Sequence, residues 1–330
     1  MKNENQTVLM AHPLEALSLS FIQARDLSAS TLNSYRIVYK KFIKYLKEED
    51  ILYPKTSDVI KYREYQRACG ASTYYIHIQM SALKGLFHYL KVNQDRLSLP
   101  IHYSYDIMEK IKSEQIQHKI RKPVLTLEEA KHFILSTKRM RHTIHQYRNH
   151  AIISLMITSG LSPHQIVHLT LSDYRIVDGA AVLYLEKRNR REKDIIRISK
   201  GTTQAIDDYL IKRKDDNPYL FHGHKANRNQ PLNRMFFYTM FKQLLKDTGL
   251  EYTKITPHSL RHTAALLNLE RGASIEQTKA FMRHSSIVST FVYQDYLNRM
   301  KDDSEYQIDA LILKEDRDLA LEFTQYITYK

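Results

Sequence analysis

A single cysteine, Cys69, stands in a chain of 330 residues. No intrachain disulfide can form, and thiolate metal clusters are excluded. No stretch reaches the roughly 18 consecutive apolar residues that mark a membrane-spanning helix. The opening MKNENQTVLMAHPLEAL lacks the charged start and long apolar core of a secretory signal. Internal repeats and low-complexity tracts are missing too. These absences point to a soluble intracellular protein with no membrane role.

Acidic residues are the next shortage: 36 Asp and Glu face 50 Lys and Arg, for a formal charge of +14 and a pI near 9.5. Such an excess favours a polyanionic partner, most often nucleic acid, although charge alone also allows a membrane surface. The excess is local. Residues 119–300 hold 30 basic against 16 acidic side chains, residues 1–118 hold 16 against 12, and residues 301–330 hold 4 against 8. The polyanion-binding character therefore lies in the middle block. With 43% hydrophobic residues, the chain can build two ordinary domains with real cores.

The N-terminal part reads as a helical bundle. Leu32, Tyr35, Tyr39, Phe42 and Leu46 recur at steps of three and four, after cap residues in SAST. Ile76, Met80, Leu83, Phe87 and Leu90 form a second such face after GAST at residues 70–73. Lys40, Lys41, Lys44 and Lys47 either touch DNA or form a solvated face. A polar, basic break over residues 112–125 closes on Pro123, and TLEEAKHFI then opens a helix with acid in its first turn. Residues 146–171 read as helix, turn at SGLSP, helix. AAVLYLEK and DIIRIS are β-like runs flanking RNRREK, which predicts a hairpin.

The chemistry concentrates later. Thr256 is a good N-cap and Pro257 suits the first helical position, so HSLRH starts a helix with His258 and Arg261 on one face. Gly272 ends it, and SIEQ at 274–277 is a capping-box signature for the next. His284 follows, then Tyr293 nine residues later. The histidine pair could bind zinc, but Ser259 stands where a metalloprotease has Glu, and no nearby cysteine or carboxylate completes a site. No metal is expected.

Residues 256–293 resemble the signature region of the tyrosine recombinases, the phage-integrase family. That pattern reads His-x-Leu-Arg-His-Thr, then Leu-Gly-His-Ser-Ser, then Thr-Thr-x-x-Tyr. The resemblance extends more loosely over residues 14–300. It implies a mainly α fold: a helical, SAM-like core-binding domain (1–115), a linker (116–125), an α+β catalytic domain with a small sheet or hairpin (126–300) and a helical tail (301–330). It also implies a DNA strand-breaking enzyme, with Tyr293 attacking a phosphodiester to leave a 3′-phosphotyrosyl link. Covalent capture conserves the bond energy, so no cofactor is needed. Arg261 would grip the scissile phosphate, His258 and His284 would donate hydrogen bonds or move protons, and Lys187 would protonate the leaving 5′-oxygen. Tyr296 is the rival nucleophile, but the Thr290-x-x-Tyr293 spacing favours Tyr293. His262 is assigned to packing or capping.

The pattern breaks at one place. The family's first arginine belongs to a Thr-Gly-Leu-Arg turn, and here the turn is Ser159-Gly160-Leu161-Ser162. A hydroxyl brings no charge to a phosphate. Arg188, on the hairpin, is the expected substitute, with Arg190, Arg191 and Lys193 as rivals or phosphate contacts. Three readings stand: a recombinase with a relocated arginine, serving a mobile element; a relaxase-like protein nicking or transferring one strand; or a replication or regulatory factor that binds DNA without cutting it. The resemblance further implies double-stranded DNA as partner, homo-tetrameric assembly on it, and a cytoplasmic, nucleoid-associated location. About a dozen residues precede the first helix, too few for an extra arm-binding domain. The tail DALILKEDRDLALEFTQYI has apolar residues at helical spacing and packs either on its own domain or on a neighbouring protomer.

Overall fold

The computed structural model describes residues 12–114, 123–186, 193–223 and 230–313. The chain divides into two compact units, residues 1–117 and 118–330. Among the described residues no helix is long and apolar enough to cross a membrane.

The first unit is built from α1 (Pro13–Gln23), α2 (Ala29–Glu48), α3 (Thr56–Ala68) and α4 (Thr73–Val92). Ser28 and Ser72 accept backbone N–H groups at the starts of α2 and α4, as the SAST and GAST stretches predict. The apolar stripes then face inward: Phe42, Leu46, Leu83 and Leu90 are fully buried, with Leu32 and Tyr35 packed at the margin. Tyr39 sits deep in this core because its hydroxyl donates to the Ala82 carbonyl at 2.9 Å, which satisfies the one polar atom that burial would penalise. Lys40 and Lys44 lie on the exposed face of α2, where Lys44 pairs with Glu48 at 3.5 Å. Lys41 lies over the Tyr75 ring.

The second unit runs α5 (Leu127–Arg139), α6 (Ile144–Ser159), α7 (Pro163–His168), β1 (Tyr174–Val177), β2 (Ala180–Glu186), β3 (Lys193–Arg197), α8 (Lys200–Lys212), α9 (Arg234–Asp247), α10 (Pro257–Glu270), α11 (Ile275–Met282) and α12 (Val288–Lys301). Its axis is α6. Ala151, Ile152, Ile153, Leu155 and Met156 are all fully buried, so this helix is apolar nearly all round and lies inside the unit. Thr126 and Glu129 close the capping box that starts α5. Leu125 N–H donates to Thr263 Oγ1 at 2.9 Å, which ties the entry of the unit to α10.

The hairpin forms as expected, with Val182 opposite Arg197 and Glu186 opposite Lys193 in antiparallel register. A third strand was not foreseen. β1 pairs antiparallel with β2 through the Asp178-Gly179 turn, giving the order β1-β2-β3. Both turn residues have positive φ (48° and 71°), the requirement of a tight two-residue hairpin turn, and the Asp-Gly pair was the available signal. Past α12, residues 304–313 are helical, and Tyr306, Ile308, Leu311, Ile312 and Leu313 are exposed. This part of the tail is therefore not packed against its own unit.

Candidate active site

Two helix C-termini and one helix N-terminus build the site. α6 ends at Gly160, whose φ of +63° closes the helix in the left-handed region; a Cβ there would meet Met282 Sδ at 3.0 Å. α11 starts on the predicted box of Ser274 and Gln277, and ends at Met282 with Arg283 as its left-handed cap. α10 starts at Thr256, whose N–H donates to Ser259 Oγ at 3.1 Å, and Pro257 fills the first position as expected.

Arg261, from the first turns of α10, joins the two C-termini. Its Nη1 donates to the Gly160 carbonyl and its Nη2 to the Met282 carbonyl, both at 2.5 Å. Carbonyls at the ends of helices have no intrahelical partner and carry the negative end of the helix dipole, so a guanidinium satisfies both needs at once. Burial pushes the Arg261 pKa down, and the neighbouring Tyr293 pulls it back up. His258 is half-buried on the first turn of α10.

Tyr293, on α12, is 4% exposed. Its hydroxyl lies 2.9 Å from His262 Nδ1, and the two rings are tilted 44°. On its other side the His284 ring stacks at 6.2 Å between centroids and 10° between planes. Burial raises the Tyr293 pKa, and Arg261 opposes that rise. His284 is held by Thr290, whose fully buried Oγ1 lies 2.9 Å from Nδ1. Burial first, then the charges of Arg261 and Arg283 and the nearby His262, lower the His284 pKa to about 4. At neutral pH His284 is an uncharged hydrogen-bonding group.

The expected residues Arg261, His284 and Tyr293 thus come together. His262, assigned to packing or capping, lies with them: its Nδ1 is 2.9 Å from the hydroxyl of the candidate nucleophile. Adjacent helical positions point about 100° apart, so with Arg261 turned to α6 and α11 the packing of α12 decides what His262 meets. Arg283 is the other residue not foreseen. It occupies the glycine position of the Leu-Gly-His-Ser-Ser pattern, and that mismatch was visible in MRHSS.

Ser162 is the N-cap of α7. Its Oγ accepts the Gln165 N–H at 3.3 Å and donates to Gln165 Oε1 at 3.0 Å, and its own N–H donates to that same oxygen. The hydroxyl is engaged in starting a helix. Lys193 Nζ donates to Asp173 Oδ1 at 2.8 Å, at the base of the hairpin. Lys187, Arg188, Arg190 and Arg191 lie outside the described residues. Among the described residues no cluster of His, Cys, Asp and Glu could hold a metal ion.

Residues 16–94 match the N-terminal SAM-like domain of phage integrases. The chain is 25% identical over 291 residues to tyrosine recombinase XerA of Pyrococcus horikoshii, covering 88% of this chain and 91% of that one. Against tyrosine recombinase XerD of Listeria monocytogenes it is 26% identical over 294 residues, 85% of this chain and 93% of the other. The fold is also that of the XerH site-specific recombinase bound to palindromic difH substrate in a post-cleavage complex. That likeness has a TM-score of 0.71 at 18% identity, over 91% of this chain and 84% of XerH. Residues 123–299, more than half of the sequence and the whole of the constellation around Tyr293, match the phage integrase family, and the chain belongs to that family.

Proposed function

We propose that this protein breaks and rejoins duplex DNA as a site-specific tyrosine recombinase serving a mobile element, through a 3′-phosphotyrosyl intermediate. The observation that carries this reading is the Tyr293 hydroxyl, buried and hydrogen-bonded to His262 beside Arg261 and His284. A structural tyrosine has no need of a guanidinium and two imidazoles around it.

In this reading Tyr293 Oη attacks the scissile phosphorus. The P–O5′ bond breaks, and its electron pair leaves on the 5′-oxygen, which takes a proton from Lys187. The tyrosine proton passes to His262 Nδ1, the nearest ring nitrogen, in the tautomer that carries its proton on Nε2. With Thr290 donating to Nδ1, neutral His284 keeps its proton on Nε2 and offers it to a non-bridging oxygen. His258 gives a second such donor. Arg261 supplies charge where the transition state accumulates it. Rejoining reverses the steps, with the 5′-hydroxyl as nucleophile.

Residues 1–115 form the core-binding domain and residues 126–300 the catalytic domain, joined by the linker 116–125. Lys40 and Lys44 on one, and Arg190, Arg191 and Lys193 on the other, neutralise backbone phosphates, so binding weakens steeply with salt. Four protomers assemble on DNA, with the exposed apolar side chains of residues 304–313 docking on a neighbour. In this reading the chain is an atypical member that lacks the first arginine, and the uncharged cap at Ser162 also favours a second reading, DNA binding without cleavage.

Incubation with a nicked suicide duplex carrying the native site, followed by a denaturing gel, separates the two. Wild type is expected to form a covalent adduct that Tyr293→Phe lacks while still retarding the duplex. Retardation by wild type with no adduct overturns the enzymatic reading.

A further inference from the structure

The two C-termini that receive Arg261 also receive a second guanidinium. Arg283 Nη1 donates to the Phe281 carbonyl at 2.8 Å and Nη2 to the Ser159 carbonyl at 3.2 Å. Arg261 takes the next carbonyl on each side, Gly160 and Met282. Four consecutive-pair carbonyls, two from the end of α6 and two from the end of α11, thus hold two guanidiniums beside each other. The Nε of Arg283 is buried with no hydrogen-bond partner. Each arginine has five N–H groups, and these contacts engage two of them.

Like charges placed together in a half-buried site are costly unless something compensates. Burial and then the charge of Arg261 lower the Arg283 pKa to about 10; Asp194 on β3 opposes that shift. Among the described residues, two helix dipole ends and the Asp194 carboxylate act against these two cations. A phosphate would complete the balance, because its oxygens match the fork of donors that a guanidinium presents. Arg283 also lines a cleft of about 280 Å3 with Ser159, Asp194, Arg197 and Phe281. The cleft therefore reaches the Arg283 residue.

Its backbone points the same way. Arg283 has φ of +55°, a region that glycine enters without strain and arginine does not. A side chain is kept here at a conformational cost, and it reaches the Ser159 carbonyl of the turn that leads to Ser162.

We propose that Arg283 supplies the second guanidinium of the scissile-phosphate clamp, in place of the charge absent at Ser162. This rests on the strand-cleavage reading above and replaces Arg188 as the source of that charge. The clamp is then Arg261 from α10 and Arg283 from the cap of α11, gripping one phosphodiester between the ends of α6 and α11.

The decisive substitution is Arg283→Gly, since the relief of positive-φ strain and of like-charge repulsion offsets the two carbonyl hydrogen bonds that are lost. Adduct formation on the suicide duplex is expected to slow about 100-fold or more, the usual effect of removing one donor to a developing oxyanion, with no fall in melting temperature. Adding Ser162→Arg to that variant should restore at least a tenth of the wild-type rate. A rate within threefold of wild type for Arg283→Gly overturns the assignment, as does a greater loss from Arg188→Ala.

Calorimetric titration with inorganic phosphate at fixed ionic strength tests the clamp without any cleavage. Wild type should bind at least tenfold tighter than Arg283→Gly; equal affinity, or no binding by wild type, overturns the proposal. A wild type that binds phosphate yet forms no adduct sinks the strand-cleavage reading and leaves the two-arginine anion site standing.

Discussion

The helices α7 and α10 begin on the same seven-residue pattern and meet different surroundings. Ser162-Pro163-His164-Gln165-Ile166-Val167-His168 and Thr256-Pro257-His258-Ser259-Leu260-Arg261-His262 share a hydroxyl cap, a proline at the first position, two histidines four apart and an apolar residue between them. Local physics is common to both: each cap position has its N–H taken by the residue three further on, at 3.0 and 3.1 Å. Of the four side chains that differ, one changes the charge, and the surroundings differ as well. Where α10 carries Arg261, α7 carries buried Val167. His164 and His168 are exposed and stack on each other at 4.2 Å between centroids. Their counterparts His258 and His262 are half-buried, and His262 meets a buried tyrosine hydroxyl. The same helix start leaves its histidines on the surface in one place and sets one against a buried tyrosine hydroxyl in the other.

The largest way to break the comparison is at the second histidine. His262→Ala removes the acceptor beside Tyr293 Oη and is expected to slow adduct formation by roughly 100-fold, the lower range for loss of a positioned base. The loss should shrink as pH rises, because solvent takes the tyrosine proton more readily there. His168→Ala, at the matching position of α7, should leave the rate within twofold. Equal effects from the two, or a loss from His262→Ala that is flat with pH, would return His262 to a packing role.

Much of this was legible in the sequence. The helical stripes of the first unit and the caps of α10 and α11 rest on local chemistry that a reader of the sequence can apply, whereas Tyr293 is singled out by the resemblance to the tyrosine recombinases. The third strand β1 was missed although its Asp-Gly turn was in view, because four residues of mixed polarity give no clear alternation. Which face of α10 each histidine takes was not legible, because it depends on where α12 packs. Arg283 is the instructive case. As a residue it looks like an ordinary basic surface position, and only the left-handed cap of α11 turns its side chain toward Ser159. The resemblance points to the hairpin for a substitute charge, while the fold sets the Arg283 guanidinium against the Ser159 carbonyl, over a hundred residues away in sequence.

A smaller effect separates buried from exposed imidazoles by pH. The His284 pKa is lowered to about 4 from a usual 6.5, by burial first and then by Arg261 and Arg283. The folded state therefore takes up its proton later than the unfolded chain does. The stability gained from neutral His284 is present above about 6.5 and is lost as pH falls toward 4. His150, buried against Thr137 with its pKa also near 4, adds the same slope. Melting temperature should fall over that window. An NMR titration of the His284 ring should show a midpoint near 4, and Arg283→Gly should move it upward by removing one of the two charges. A midpoint that stays put would place the Arg283 guanidinium away from the histidine.

The smallest expected effect concerns the caps themselves. If Ser162 only starts a helix, Ser162→Ala costs the cap hydrogen bond, about 1 kcal/mol. In a unit of this size that lowers the melting temperature by roughly 2–4 °C. Adduct formation at a temperature well below melting should stay at the wild-type rate, because the hydroxyl that is lost was bonded to Gln165 and to nothing in the site. Ser162→Asn, which also caps well, should restore stability. A fall in cleavage with stability intact would mean that the hydroxyl leaves its cap when DNA binds and reaches the phosphate itself. The twin starts would then share a reactive role, and the charge brought by Arg283 would be an addition to the Ser162 side of the site instead of its replacement.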